Sequence, residues 1–188
     1  MLHSLVLKLK AEQGALISPT QGYHAYALLL NILRRTDEAM ASRLHGGDGA
    51  KPITVSPLQG AFSRSGQGLR IAAGGMYWIR VTSLEDEVFA ASLASLLNYA
   101  EPLRLETATF RLEEVVTAEG ASLWAACRSY QDMCEGATPT RQITLQFSSP
   151  TVFRSKGRRN VLFPEPGLVF GSYLARWDVV VTEARQGR

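Results

Sequence analysis

Residues 141–177, RQITLQFSSPTVFRSKGRRNVLFPEPGLVFGSYLARW, join an alternating apolar segment, a basic cluster and a second apolar segment. In residues 143–147, ITLQF, apolar and polar side chains alternate, which predicts a half-buried strand. Ser149-Pro150 ends this strand in the prediction, since proline lacks the N–H that a strand ladder needs. Residues 167–176 carry apolar side chains at helical spacing, which predicts a helix. The stretch is therefore predicted to fold as a strand, a basic hairpin and a helix.

The basic cluster of this stretch concentrates the positive charge of the chain. Residues 151–188 hold seven Lys/Arg and three Asp/Glu, a net charge of +4, whereas residues 1–150 carry −1. One interpretation is a solvated loop that keeps the protein soluble. The other is a phosphate-binding hairpin, because guanidinium groups bind phosphate bidentately and Gly157 lets the tip follow a backbone. The charge distribution favours the second interpretation. Its basic residues are Arg154, Lys156, Arg158 and Arg159.

The same stretch resembles a known family. The runs S-P-T-x-F-R, N-V-L-F-P-x-P and L-V-F-G-S-x-L-x-R-W are similar to the second half of CRISPR-associated endoribonucleases that process precursor CRISPR RNA. These enzymes belong to the repeat-associated (RAMP) superfamily, which is built from ferredoxin-like RNA-binding folds. They usually carry a glycine-rich loop near the C-terminus, and nothing here matches it. A truncated chain and a segment supplied by another chain both stay open as explanations.

The first part of the chain predicts the element order of a ferredoxin-like domain. Its order is strand, helix, strands, helix, strand, which is the βαββαβ pattern. We expect an α+β protein with a ferredoxin-like (RRM-like) domain over residues 1–118 and a partial second ferredoxin-like domain over 119–188. Another α+β sandwich stays open, because strand order does not follow from one sequence. The predicted elements are a strand at 5–9, a helix at 23–35, a strand at 51–58, a loop or hairpin end at 59–68, a strand at 76–82, a helix with Ser83 as N-cap, a strand at 103–118, a helix at 123–134 and a last strand at 179–181.

Composition excludes several classes of protein. Hydrophobic residues make up 46% of the chain and charged residues 20%, as in an ordinary globular protein. No apolar run approaches the length that spans a bilayer, and the N-terminus lacks a signal-peptide pattern, so we expect a cytoplasmic protein. Cys127 and Cys134, both placed in the helix predicted at 123–134, form no metal-binding pattern. We therefore expect neither a metal nor a disulfide.

His45 is the histidine whose surroundings best suit chemistry. His3 and His24 are predicted to be structural. His45 ends a predicted helix, is followed by the run Gly46-Gly47-Asp48-Gly49, and precedes Lys51 at the head of a strand. An imidazole can transfer protons near neutral pH, and an ammonium can neutralise a crowded phosphate, which together suit RNA strand scission. Without a family, this spacing alone is a weak indication.

The resemblance implies roles for these residues. It assigns His45 to general acid/base catalysis and Lys51 to stabilising the phosphate charge in a metal-independent, cofactor-free reaction. Some members add a tyrosine on the preceding helix, where this chain has Leu30; Tyr26 lies one turn away and substitutes or packs. Arg64 is a less certain member of the basic RNA-binding set. The implied partner is CRISPR repeat RNA, with subunits of an effector complex and a second copy of the chain as further candidates.

Two alternatives stay open beside the enzyme. One is a repeat-RNA-binding subunit of an effector complex that has lost cleavage, and the other is a structural remnant with no RNA function. Both the enzyme and the binding subunit require the basic hairpin and the His45–Lys51 pair to face the same nucleic-acid groove. Trp78, Trp124 and Trp177 are predicted to pack in the core.

Overall fold

A computed structural model describes residues 1–46, 51–66, 68–147, 151–155 and 159–185, with the backbone alone for Arg154 and for residues 179–185. The chain forms two compact units, Met1–Ser129 and Tyr130–Arg188. The strands of the first unit are β1 (Leu2–Ala11), β2 (Ala15–Ile17), β3 (Ile53–Val55), β4 (Gln59–Gly60), β5 (Ser63–Ser65), β6 (Gly68–Ile71), β7 (Met76–Ser83), β8 (Leu103–Leu105), β9 (Ala108–Val116) and β10 (Ala126–Arg128). Its helices are α1 (Gly22–Thr36), α2 (Glu38–Gly46) and α3 (Asp86–Leu97), and the second unit has α4 (Tyr130–Glu135), β11 (Phe153–Arg154), β12 (Asn160–Val161) and α5 (Pro166–Arg185).

An antiparallel sheet forms the centre of the first unit. Its strand order is β3-β7-β1-β9-β8, with β4 also pairing with β7 and β10 with β1. Helix α1 follows β1, and α3 connects β7 to the β8–β9 hairpin, so the elements succeed one another as βαββαβ. The prediction of an α+β, ferredoxin-like fold is confirmed.

The alternation of β1 explains how the two faces of this sheet differ. Leu5, Leu7 and Leu9 are at most 2% exposed and pack in the main core together with α1 and α3. Val6 points to the opposite face, where it forms a smaller apolar cluster with Val116 and Ala125. Successive strand residues point to opposite faces, so one strand serves both clusters.

Several predicted elements of the first unit differ from the structure. Residues 59–68, predicted as a loop or hairpin end, contain β4 and β5, and β5 pairs with β6 as a hairpin. The strand predicted at 51–58 is reduced to β3. Ser83 was wrong as an N-cap: it ends β7, and Glu85 is the N-cap of α3. The strand at 103–118 is a hairpin, because Glu106 adopts φ 53° and turns β8 back as β9.

The chain beyond residue 118 contributes to the first sheet. The helix predicted at 123–134 is wrong: residues 126–128 pair with β1 as β10, and the helix α4 begins only at Tyr130. Strand pairing here overrides helical periodicity, since the edge of β1 offers free ladder positions at residues 2–4. The first compact unit consequently continues to Ser129.

The second unit contains the expected hairpin and a longer helix than expected. β11 and β12 pair antiparallel, with Phe153 opposite Val161. The strand predicted at 179–181 is wrong, since α5 continues through it to Arg185; no helix-breaking residue separates Trp177 from Val179. The strand predicted at 143–147 is also wrong: the structure describes these residues, they form no strand, and Ile143 is 60% exposed. Ser149-Pro150 lies outside the described residues.

Candidate active site

Helix α2 places His45 at the surface. Its start is fixed by Asp37, whose carboxylate accepts a hydrogen bond of 2.8 Å from the backbone N–H of Met40. Met40, Ala41 and Leu44 are buried and hold one side of the helix against the core. His45 follows Leu44 in the last turn, and its side chain is exposed.

Two side chains bind consecutive carbonyls in the last turn of α2. The Tyr26 hydroxyl donates a hydrogen bond of 2.9 Å to the carbonyl of Leu44. The Lys51 ammonium donates one of 3.2 Å to the carbonyl of His45. Carbonyls of a final helical turn have no intrahelical donor, so these contacts satisfy groups that the helix leaves open. The structure thus brings Tyr26, His45 and Lys51 to one place.

The side chains of His45, Lys51 and Tyr26 differ in exposure and in the group that each presents. The imidazole is exposed, and the Lys51 side chain is half-buried. Burial raises the pKa of the Tyr26 phenol, so the hydroxyl stays a donor to Leu44 over the physiological range. The last turn of α2 therefore carries a proton-transfer group and binds a cation through the His45 carbonyl, while the Tyr26 hydroxyl is bound to the Leu44 carbonyl.

The neighbouring charge of Arg43 is already paired. Its guanidinium lies 3.0 Å from the carboxylate of Glu85 and 3.8 Å from that of Glu87. The same nitrogen approaches the sulfur of Met40 at 3.2 Å. Arg43 therefore links α2 to the start of α3.

The remaining predicted site residues lie in other places. Arg64 is exposed on β5 of the small sheet β2-β6-β5. Arg154 lies in β11, and Arg159 is exposed, with its carbonyl accepting a hydrogen bond of 3.1 Å from the Ser155 N–H. Lys156 and Arg158 lie outside the described residues, as does the glycine run at 47–49. How the basic hairpin lies relative to His45 stays a prediction.

The other two histidines pair with carboxylates of elements other than α2. The Nε2 atom of His3 lies 2.6 Å from Asp86, and that of His24 lies 3.4 Å from Glu106. Leu30, at the position where relatives of the resembling family place a tyrosine, is 5% exposed. None of these three positions adds a group beside His45.

An aromatic cluster on the second face of the sheet was missed by the sequence analysis. Trp78 and Trp124 stack with centroids 6.1 Å apart, and the Arg80 guanidinium lies 5.3 Å from the centre of Trp124. Burial lowers the pKa of Arg80. Trp124 is 48% exposed, so the prediction that it packs in the core is wrong. The alternation of Tyr77 and Trp78 indicated an aromatic on this face, but its partner Trp124 stood in a predicted helix.

The described residues contain neither a metal-binding cluster nor a helix that could span a membrane. No group of three or more His, Cys, Asp or Glu residues among them is arranged to hold a metal ion. Within the same ranges, no helix combines the length and apolarity that crossing a bilayer requires.

The sheet order and the helices that accompany it define a protein of ferredoxin-like fold. The chain belongs to the Cas6 family: residues 1–135 match the profile of the CRISPR Cas6 N-terminal domain, and residues 145–187 match that of the CRISPR-associated endoribonuclease Cas6. The resemblance drawn from the sequence is thereby confirmed. The two matches together cover both compact units.

Solved structures agree with this assignment. A Cas6 (TTHB231) product complex is 29% identical with a TM-score of 0.70, covering 94% of this chain and 65% of its own. A Cas6 (TTHA0078) product complex is 27% identical with a TM-score of 0.66, covering 95% of this chain and 63% of its own. This chain therefore spans slightly less than two thirds of the length of these relatives. No match was found among curated protein sequences.

Proposed function

We propose that this chain is an endoribonuclease that cleaves CRISPR repeat RNA by attack of a ribose 2′-hydroxyl on the adjacent phosphate. The reaction leaves a 2′,3′-cyclic phosphate and a 5′-hydroxyl and uses no metal ion. The observation that carries the proposal is that His45 exposes its imidazole while its backbone carbonyl accepts a hydrogen bond of 3.2 Å from the Lys51 ammonium. Family membership and the product complexes of relatives support the same reaction class.

His45 acts as the general acid/base. Its neutral imidazole accepts the proton of the attacking 2′-hydroxyl, and its protonated form returns a proton to the departing 5′-oxygen. Exposure of the side chain gives a bound RNA access to it. Anchoring of the neighbouring Leu44, which is 1% exposed, keeps the imidazole at a fixed place on the surface.

Lys51 stabilises the pentacovalent phosphate. The reacting phosphate gains negative charge as the 2′-oxygen attacks, and a cation held nearby lowers the energy of that state more than that of the starting RNA. The hydrogen bond to the His45 carbonyl holds the ammonium next to the histidine before RNA arrives. An ammonium carries N–H donors of the kind that bind a phosphate oxygen.

Tyr26 positions His45 rather than reacting. Its hydroxyl is used on the Leu44 carbonyl, directly before His45 in the chain, and burial keeps it protonated. Position 30, where some relatives have a tyrosine, is a buried leucine in this chain and supplies no hydroxyl. The catalytic set is therefore His45 and Lys51, which implies slow turnover compared with a three-residue site.

The basic residues bind the RNA backbone in this proposal. Guanidinium and ammonium groups contact phosphates without regard to sequence and position the RNA for the site. Arg64 and Arg159 are exposed and available for such contacts. The complete proposed set is Arg64, Arg154, Lys156, Arg158 and Arg159.

Cleavage of labelled repeat RNA in EDTA tests the enzyme proposal. Wild-type protein should give a product with a 2′,3′-cyclic phosphate, and His45→Ala should lower the rate about 100-fold or more. His24→Ala is the matched control, since His24 is a partly exposed histidine of the same unit paired with Glu106. Full cleavage by His45→Ala would remove His45 from the site, and dependence on added Mg²⁺ would contradict the mechanism.

A non-catalytic repeat-RNA-binding subunit is the second candidate. The burial of Leu30 and the commitment of the Tyr26 hydroxyl favour it, because both leave the site with fewer reactive groups. In the same assay, RNA that is shifted in a gel but intact in every variant would support this candidate. A subunit of this kind would also bind other effector subunits, which pull-down with defined subunits would detect.

The double variant Arg158→Ala with Arg159→Ala tests the hairpin. It should weaken RNA binding and flatten the dependence of affinity on salt, since fewer counterions are released on binding. Unchanged affinity would assign the cluster to a solvated loop.

A further inference from the structure

A cysteine, a histidine and an aspartate meet at the edge of the main sheet, outside the site on α2. The Sγ atom of Cys127 lies 3.4 Å from Nδ1 of His3, and Nε2 of His3 lies 2.6 Å from the carboxylate of Asp86. Cys127 and His3 face each other directly in the pairing of β10 with β1. The three side chains come from β10, β1 and the start of α3.

The surroundings fix the imidazole and leave the thiol open. The His3 ring stacks on Phe89 with centroids 3.9 Å apart and an interplanar angle of 6°. Its side chain is 11% exposed, whereas Cys127 is exposed. The N-terminal ammonium of Met1 also contacts Asp86, at 3.1 Å. The His3 imidazole therefore lies between the Asp86 carboxylate and the Cys127 thiol, and this thiol is accessible to solutes.

This order of groups is that of an activated thiol. An imidazole can take the proton of a neighbouring thiol, and a carboxylate on its second nitrogen stabilises the imidazolium that forms. The hydrogen bond from His3 lowers the pKa of the Asp86 carboxyl, which keeps that carboxylate charged. The resulting thiolate is the nucleophilic form of cysteine.

We propose that Cys127 is a modification site that reacts with low-molecular-weight disulfides of the glutathione class. The Cys127 thiol gives its proton to His3, and the thiolate attacks one sulfur of the disulfide. A new S–S bond forms to Cys127 as the old one breaks, and the departing thiolate takes the proton from the His3 imidazolium. Cys127 is oxidised to a mixed disulfide, and the released half is reduced to a thiol.

Modification of Cys127 would act on the pairing of β10 with β1. β10 is a three-residue strand that pairs with β1 through Leu2, His3 and Ser4. Cys127 lies at its centre, two residues before the first compact unit ends at Ser129. A mixed disulfide adds its bulk beside the His3–Phe89 stack and would weaken the pairing of β10.

The test uses Cys134 as the internal control, because Cys134 is also exposed and lies in α4. Purified chain is treated at pH 7 with iodoacetamide, and in parallel with glutathione disulfide, and modification of each cysteine is followed by peptide mass spectrometry. Cys127 should react about fivefold faster than Cys134 or more. In denaturant the two rates should become equal, since the His3 contact exists only in the folded chain.

Two variants separate activation from simple exposure. Asp86→Asn and His3→Gln should each bring the Cys127 rate down towards that of Cys134 without changing the Cys134 rate. Asp86→Asn keeps the test decisive if loss of the His3–Phe89 stack unfolds the chain. Equal native rates for the two cysteines, or an unchanged Cys127 rate in Asp86→Asn, would overturn the proposal. RNA cleavage plays no part in this test, so its outcome is independent of the proposed nuclease.

Discussion

The ammonium nitrogen of Lys51 lies 3.2 Å from the carbonyl oxygen of His45, so the lysine side chain is bound to the main chain of α2 at the residue that carries the exposed imidazole. The last turn of α2 carries the His45 imidazole and also provides the carbonyl that binds the Lys51 ammonium. The preceding carbonyl, of Leu44, is bound in the same way by Tyr26. The open end of a helix thus organises the candidate active site.

Replacing Lys51 with alanine should slow RNA cleavage more than it weakens RNA binding. Loss of a cation that stabilises the reacting phosphate is expected to cost about 100-fold in the single-turnover rate. Lys51→Arg should keep part of the rate, because the charge remains while its geometry changes. Rates and affinities are measured separately, by single-turnover assay and by filter binding.

Lys10→Ala is the control for this experiment, since Lys10 is an exposed lysine on β1. It should cleave at the wild-type rate. A Lys51→Ala chain that cleaves as fast as wild type would show that the contact with His45 is only structural.

Tyr26→Phe should destabilise the chain by about 1 kcal/mol, the usual net contribution of one hydrogen bond. The phenylalanine ring fills the same space but leaves the Leu44 carbonyl without this donor. Urea unfolding of both proteins measures the difference. Cleavage should fall severalfold at most, because Tyr26 positions His45 and does not react.

The same pair of proteins gives a prediction for alkaline pH. Burial raises the pKa of Tyr26, so the folded chain keeps a proton that the unfolded chain releases near pH 10. The stability from this group is complete below that pH and is lost as the pH rises through the folded value. The unfolding free energy of wild type relative to Tyr26→Phe should therefore shrink from pH 8 to pH 11, with the other tyrosines common to both proteins. A constant difference would contradict the burial of the phenol.

The sequence predicted elements of the first unit correctly where the spacing of apolar residues alone determined the structure. The alternation of residues 5–9 and the helical spacing of residues 23–35 correspond to β1 and α1, which form the core that bears the site. The prediction failed where pairing or a turn decided the outcome. The single strand expected at 103–118 is a hairpin because Glu106 turns the chain with a positive φ, which a glutamate rarely adopts.

The second unit was harder to predict because its elements depend on partners. Residues 143–147 alternate as a strand should, yet an isolated strand gains no ladder hydrogen bonds, and no described strand pairs with them. The valines at 179–181 favour a strand by propensity, but the helix α5 continues through them. The strand propensity of these valines is overridden because the residues before them already form a helix.

The sequence named the residues of the candidate site but did not indicate the contacts that connect them. His45 and Lys51 are six residues apart, so the sequence could place them near each other. The Tyr26 hydroxyl reaches Leu44 across eighteen residues, and no sequence pattern announces a side chain that binds a backbone carbonyl. The cluster of His3, Cys127 and Asp86 is more distant still in sequence and depends on the pairing of β10 with β1.

Substitutions at Glu106 should separate its backbone strain from its hydrogen bonds. Its carboxylate accepts a hydrogen bond of 2.9 Å from the Ser18 N–H and a second from the Ser18 hydroxyl, while its backbone holds φ 53°. Glu106→Ala loses both hydrogen bonds and keeps the strain, for a loss of about 2 kcal/mol. Glu106→Gly loses the same bonds but accepts the positive φ and should be about 1 kcal/mol more stable than the alanine variant. Urea unfolding ranks the two, and an equal or reversed order would contradict this account of the hairpin.

Arg64→Ala should weaken RNA binding equally for all sequences and reduce its dependence on salt. Arg64 is exposed on β5, and a phosphate contact by it would release counterions on binding. Loss of one contact to single-stranded RNA lowers the slope of log affinity against log salt by about 0.7. Arg111→Ala is the matched control, because the Arg111 guanidinium already pairs with Glu113 at 2.8 Å. Filter binding at several salt concentrations measures both slopes, and an Arg64→Ala slope equal to that of wild type would remove Arg64 from the RNA-binding set.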